Sequence, residues 1–343
     1  MACYEPMCSY LESTYHIALS IARRIMKNHA HGLPGIDYIY RRVLRDESPS
    51  EYPFLFRLAY ELHGKSFRPV EKIAAAIHLL QTSTFVLDDI IDMSRKRAGA
   101  GTIYAERGTG TAIITGELLQ SIAMSEIASE TERLALPNPI SCLKLLTLAV
   151  ADVYKGQYLD TLHSGNLSIT FKQYYETIFL TTGQFLGRVA LVGALLGNVS
   201  VSEQESLYRF GKNYGMALQI CDDIIDVTFS SKHTGKDFGV DVKMRRMRLP
   251  LMVALGTATA QEKLALRKYL SRSSVPKEQE VRRIIRAIEN AAAIEHCRKI
   301  MGKFINKAVV CLQGLPEGRS RRYLSELAVD LENDLDSLDG DLG

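Results

Sequence analysis

Apolar positions recur every three to four residues along most of the chain, which is the period of an amphipathic helix. Residues 10–28 carry this pattern, and a longer run follows over 70–94, opened by Pro69 at a favourable first-turn position. Further runs cover about 110–129, 139–163, 170–197 and 203–229. Pro250 opens another short run, 276–313 reads as a long amphipathic stretch, and about 318–335 precedes an acidic tail. Asn-Gly or Asp-Gly hairpins between alternating apolar residues do not occur, so strands are not expected. Breaks fall at His31–Gly35, Gly64–Pro69, Arg97–Gly101, Pro137–Pro139 and Ser230–Gly239. None is long enough for an interdomain linker. The reading is one all-α domain over residues 1–343, with its motif-bearing core at about 60–255.

Composition narrows the class. Of 343 residues, 46% are apolar and 24% charged, as in an ordinary globular protein with a sizeable core. Lys and Arg number 42 against 39 Asp and Glu, a net charge of +3 that argues against nucleic-acid binding. The cluster Lys243–Arg248 is short and lacks interleaved aromatics, which argues the same way. The six cysteines are scattered without a Cys-x-x-Cys pair, so reduced thiols and a cytoplasmic location are expected. The apolar stretch Val189–Val199 is interrupted by Gly193, Gly197 and Asn198 and is too short to span a bilayer, so no integral membrane segment is expected. Glu5 and Glu12 stand where a signal peptide would need an apolar run.

The candidate chemistry lies in a pentapeptide that occurs twice. Asp88-Asp89-Ile-Ile-Asp92 ends one apolar run, and Asp222-Asp223-Ile-Ile-Asp226 lies in another. The outer aspartates of each are four apart and share one helix face, and the middle ones are close enough in angle to reach the same site. One such motif could be a solvated surface. Two, each inside a strongly aliphatic run, place carboxylates where desolvation is costly unless they pair or bind metal. Six carboxylates on one cavity make a hard-oxygen site suited to magnesium, with Asp88, Asp92, Asp222 and Asp226 as the metal ligands. The fitting chemistry is departure of diphosphate from an activated carbon.

With these motifs the chain resembles the trans-isoprenyl diphosphate synthases, the family of farnesyl and geranylgeranyl diphosphate synthases. Gly64-Lys65-Ser66-Phe67-Arg68-Pro69 is similar to that family's segment for the homoallylic diphosphate, with Lys65 and Arg68 as its cations. Gln81 falls where the family places a His or Gln for the same group. Arg97, Gly156-Gln157, Asp160, Gln219 and Gly235-Lys236 match further family positions. The resemblance implies an isoprenoid synthase helical bundle with a deep central pocket, a homodimer, and about three magnesium ions on the allylic diphosphate. It implies that Arg97, Gln219, Lys236, Thr182 and Arg246 serve that diphosphate, and that Lys65, Arg68 and Gln81 serve the acceptor.

The chain also departs from the family pattern. Ala98 stands where a second Arg is usual, Ser66 replaces a basic residue, and Thr181-Thr182 replaces a Lys-Thr pair. Arg246 replaces a Lys, with Arg245 and Arg248 as extra cations. Each lost Arg–phosphate pair removes about 1.5–3 kcal/mol. A weakened isopentenyl site resembles the branch that prenylates indole-3-glycerol phosphate with geranylgeranyl diphosphate in indole-diterpene biosynthesis. The expected function is therefore magnesium-dependent prenyl transfer to a phosphorylated acceptor, with that indole as the acceptor. Chain elongation with isopentenyl diphosphate is the alternative, and terpene cyclisation or a non-catalytic subunit are more distant ones. Ser83 and Thr84 are small where short-chain synthases often carry aromatic residues. They open the next turn, toward Leu80, by about 5.4 Å, which suits a chain of about four isoprene units.

Overall fold

Leu79, Leu80 and the alanines Ala74–Ala76 make the middle of the helix Glu71–Ile91 apolar on every side, and all five are fully buried. A helix apolar all round belongs at the centre of a bundle. The computed structural model, which describes residues 5–29, 35–45, 49–228, 239–271 and 276–340, places it there. In chain order the helices are α1 (Glu5–His29), α2 (Ile36–Val43), α3 (Glu51–Tyr60), α4 (Glu71–Ile91), α5 (Ile103–Arg133), α6 (Pro139–His163) and α7 (Phe171–Ile178). They continue with α8 (Gln184–Gly197), α9 (Val201–Thr228), α10 (Val240–Lys243), α11 (Leu249–Thr257), α12 (Ala260–Leu270), α13 (Glu278–Asn290), α14 (Ala293–Cys311) and α15 (Arg319–Gly340). Helix α4 packs along α5, α8 lies between α3 and α9, and α14 covers α9. Buried apolar residues from α1 to α15 form one continuous core.

The all-α expectation holds, with four local differences. Helices α2, α3, α10 and α12 were not marked by the apolar period; α3 is buried on nearly all sides, so it has no polar stripe to reveal it. The 170–197 run divides at a wide π turn, Phe179–Gly183. The 276–313 run divides at Ala292, whose φ of 50° is left-handed. The break at Arg97–Gly101 is a small hairpin, pairing Lys96–Arg97 with Ala100–Gly101 around Ala98 and Gly99 at positive φ.

The cysteine expectation changes, and the apolar stretch is longer than expected. Cys8 is disulfide-bonded, whereas Cys142, Cys221, Cys297 and Cys311 are free thiols. The stretch Phe171–Gly197 is long and apolar enough to cross a membrane, but 61% of its most apolar window is buried inside the fold.

Candidate active site

Helix α4 turns one face to a central cavity. Thr84, Phe85, Asp88 and Asp92 line it at the spacing of neighbouring turns. Opposite, Gln219, Asp222, Ile225 and Asp226 line it from α9, and Val153, Gln157 and Asp160 close it from α6. This first cavity has a volume of about 210 Å³. A second cavity of about 340 Å³ lies beside it, lined among others by Ser50, His78, Gln81, Asp89 and Ala98. The two share Tyr52, Phe85, Arg97, Thr182, Gln219 and Asp222 as a common wall.

The motifs split into outer and middle aspartates. Asp88, Asp92, Asp222 and Asp226 all face the first cavity. Asp88 accepts a hydrogen bond from Gln157 Nε2 at 2.5 Å, and Asp226 accepts from the backbone N–H groups of Val240 (3.0 Å) and Asp241 (3.2 Å). The middle residues do not join them. Asp89 is buried, accepts from Arg97 Nε and Nη2 at 3.0 and 2.8 Å, and borders the second cavity. Asp223 is buried outside both cavities and accepts from Tyr174 Oη at 2.7 Å and Gln219 Nε2 at 3.2 Å. A residue one position along a helix is rotated by about 100°, and here that rotation takes the middle carboxylates into the packing.

An ionic lattice joins the motifs. Arg246 donates through Nη2 to Asp92 and pairs through Nη1 with Asp160. Arg248 reaches Asp160 at 3.1 Å through Nη1, and Asp241 at 3.1 Å and Asp223 at 3.7 Å through Nε. Burial pushes Asp160 up to about 6 and Asp223 up to about 7, although Arg248 pulls both down. Burial works against the charge on Arg248, but Asp160, Asp241 and Asp223 more than offset it and hold it cationic.

The π turn aims Thr182 at the wall between the cavities, where its Oγ1 donates to Gln219 Oε1 at 2.7 Å. Gly156 permits this approach. A Cβ there would meet Thr181 Cγ2 at 2.5 Å and Thr181 N at 2.9 Å.

Other sequence-derived candidates fall elsewhere. Lys65 and Arg68 are exposed and line neither cavity, with Lys65 Nζ lying 5.7 Å from the Tyr60 ring. The matching short segment is thus a surface loop, whereas Ser50, Glu51 and Tyr52 at the start of α3 occupy the second cavity near Gln81. Arg246 is buried behind the cavity wall rather than lining it. Of the expected floor residues, Thr84 borders the first cavity, while Ser83 and Leu80 are buried in the helix packing. Lys236 lies outside the described residues. Phe85, under the Arg97 guanidinium at 4.7 Å, was missed although it stands three residues before Asp88 on the same helix face. Tyr52, Ser50 and His78 had no sequence signal, because their approach to the motifs is tertiary.

The outer aspartates offer a partial cation shell. Among the described residues, no three His, Cys, Asp or Glu side chains converge tightly enough to enclose a metal ion unaided. Magnesium fits such a donor set, since it takes one or two carboxylates and completes its octahedron with water and substrate phosphate.

Known proteins resemble this chain. Residues 52–288 match the family described as Polyprenyl synthetase. A protein named "Prenyl transferase" from Cyanophora paradoxa is 29% identical over 74% of this chain and 74% of its own length. A "Geranylgeranyl pyrophosphate synthase" from Geoglobus acetivorans is 29% identical over 80% of this chain and 83% of its own. The crystal structure of a polyprenyl synthase from Caulobacter crescentus, in complex with calcium and isoprenyl diphosphate, has the same fold. Its TM-score is 0.86 at 23% identity, covering 94% of this chain and 97% of that one. With outer carboxylates on a shared cavity, this fold and these relatives together, the chain is a prenyltransferase and belongs to the polyprenyl synthetase family.

Proposed function

We propose that the protein elongates an allylic prenyl diphosphate with isopentenyl diphosphate and releases diphosphate. The observation that carries this reading is the facing of Asp88 and Asp92 against Asp222 and Asp226 across one cavity, with a second cavity sharing its wall. The allylic substrate belongs in the first and the acceptor in the second. The indole acceptor expected from the sequence gives way to isopentenyl diphosphate, because relatives bear such names as geranylgeranyl pyrophosphate synthase and hexaprenyl pyrophosphate synthase.

Magnesium bound by the four outer aspartates would neutralise the charge that develops on the departing diphosphate. The chain's own groups do the rest. Arg97, anchored by Asp89 and within 3.7 Å of Asp88, sets a cation at the wall common to both cavities. Gln219, fixed by Thr182 and Asp223, presents an amide dipole at the wall shared by the two cavities. Phe85 and Tyr52 provide aromatic surface that shields an allylic cation from water. Gln81 supplies a buried amide to the acceptor cavity.

The protein acts as a homodimer in this reading. Exposed Ile140, Leu148, Tyr158 and Leu162 share one face of α6, and α5, which packs against α6, exposes Ile113 and Ile114. An apolar face of this extent favours a second copy. Light scattering of the purified protein gives the mass that decides it.

The deciding experiment is a substrate matrix. Ten-, fifteen- and twenty-carbon allylic diphosphates are incubated with magnesium, alone, with isopentenyl diphosphate, or with indole-3-glycerol phosphate. Products lengthened by five carbons are expected with isopentenyl diphosphate. A prenylated indole without elongation, or a hydrocarbon formed from one substrate alone, would overturn the reading.

A further inference from the structure

Arg246 and Arg248 are two residues apart in an irregular segment and share Asp160, yet their surroundings differ. Arg246 is 4% exposed. Its Nη2 is committed to Asp92, its Nη1 to Asp160, and both Nε and Nη1 are sealed from solvent. It contributes nothing to the cavity lining. Arg248 does line the cavity, together with Asp88, Asp92, Asp222 and Asp226.

The atoms of the Arg248 guanidinium can be accounted for one by one. Nη1 donates to Asp160, and Nε lies against Asp241 and Asp223. Nη2 has no partner among the described residues and is not among the sealed atoms. Three carboxylates therefore fix the guanidinium plane and leave one N–H edge open on the cavity side. A cation held in this way costs little reorganisation when an anion arrives. Its backbone is fixed as well. Arg248 is the extended residue before α11 (φ −78°, ψ 160°), and Met252 N donates to its carbonyl at 3.0 Å.

The geometry points to Arg248 as a diphosphate-binding residue of the donor-side cavity, and to Arg246 as a tie that joins Asp92 to Asp160 without touching substrate. Arg248 binds through its open Nη2 edge, next to the outer aspartates. The assignment rests on the proposal that this cavity takes an allylic diphosphate.

Inorganic pyrophosphate is the probe, titrated calorimetrically into the full-length protein at a fixed magnesium concentration. Wild type binds, whereas R248Q binds at least about tenfold more weakly, the scale of one lost charged hydrogen bond. R246Q loses less affinity than R248Q, since it acts on pyrophosphate only through Asp92, while its melting temperature without magnesium falls by several degrees, since a buried ion tie is broken. Should either glutamine variant fail to fold, the lysine variants replace them. R248K keeps the charge without the fork and weakens binding at least about threefold, while R246K does not. Wild-type affinity in R248Q or R248K, or an equal loss in the Arg246 variants, overturns the inference. If the wild type itself ignores pyrophosphate with magnesium present, the donor reading fails instead.

Discussion

Gln157 on α6 donates to Asp88 on α4 at 2.5 Å, so the first motif is oriented by a helix that carries no part of it. The other amide atom, Oε1, is buried without a partner, so this contact alone fixes the side chain. Asp88→Asn removes a carboxylate that no neighbour can replace. Its rate of diphosphate release should fall by about a thousandfold or more. Gln157→Leu leaves the carboxylate but not its orientation, and a fall of about 10–100-fold is expected. Steady-state kinetics on an allylic diphosphate checks both. Equal, small losses in the two variants would mean that Asp88 is not a metal ligand.

The outer and middle aspartates should separate under mutation. Asp222 lines both cavities, while Asp223 faces Tyr174, Gln219 and Arg248. Asp222→Asn is expected to abolish the rise in melting temperature that magnesium and pyrophosphate give together. Asp223→Asn should retain most of that rise, because burial already pushes this carboxyl up to about 7 and the amide mimics its protonated form. The same loss in both would place Asp223 in the metal shell and contradict the geometry.

The boundary between legible and illegible followed the range of the interaction. The outer aspartates could be read because four residues along a helix return to the same face, a local rule. Lys65 and Arg68 could not be placed this way, because a short matching segment sets no distance from the cavity; both side chains are exposed in the segment that follows α3. Asp89 and Asp223 misled because reach was judged by angle alone, whereas Arg97, Tyr174 and Gln219 decide where those carboxylates go. The all-α fold was plain from periodicity. Helix α3 was not, since a helix buried on nearly all sides lacks the polar stripe that makes the period visible.

The π turn should tolerate no extra atom at Gly156. Overpacking against backbone costs about 1–3 kcal/mol, and here the nearest atoms are the Thr181 amide and methyl. Gly156→Ala should lower the melting temperature by several degrees and reduce activity, because Thr182 and through it Gln219 are displaced. Gly110 is the control. It lies within α5 with open space around its missing Cβ, so Gly110→Ala should gain about 0.5–1 kcal/mol. Matching thermal shifts in the two variants would show that helix propensity, not the close approach, governs Gly156.

His78 gives the fold a pH signature. Burial in the wall of the second cavity, with Nδ1 unpartnered, lowers its pKa to about 4 against about 6.5 in the unfolded chain. Between those values the unfolded state binds the extra proton. The contribution of His78 to stability is therefore full above pH 6.5 and is lost as pH falls toward 4. Asp160 and Asp223, pushed up to about 6 and about 7, act in the opposite sense. Their folded forms hold protons that the unfolded chain releases above about pH 4, so they stabilise acidic solutions relative to neutral ones. The two trends oppose each other in the wild type. His78→Asn removes one of them, so the variant should gain about 2 kcal/mol relative to wild type on going from pH 7 to pH 5. Urea midpoints at the two pH values, in chelator, measure the difference. A constant offset between the proteins would mean that His78 titrates normally and that the acceptor cavity is wetter than its lining suggests.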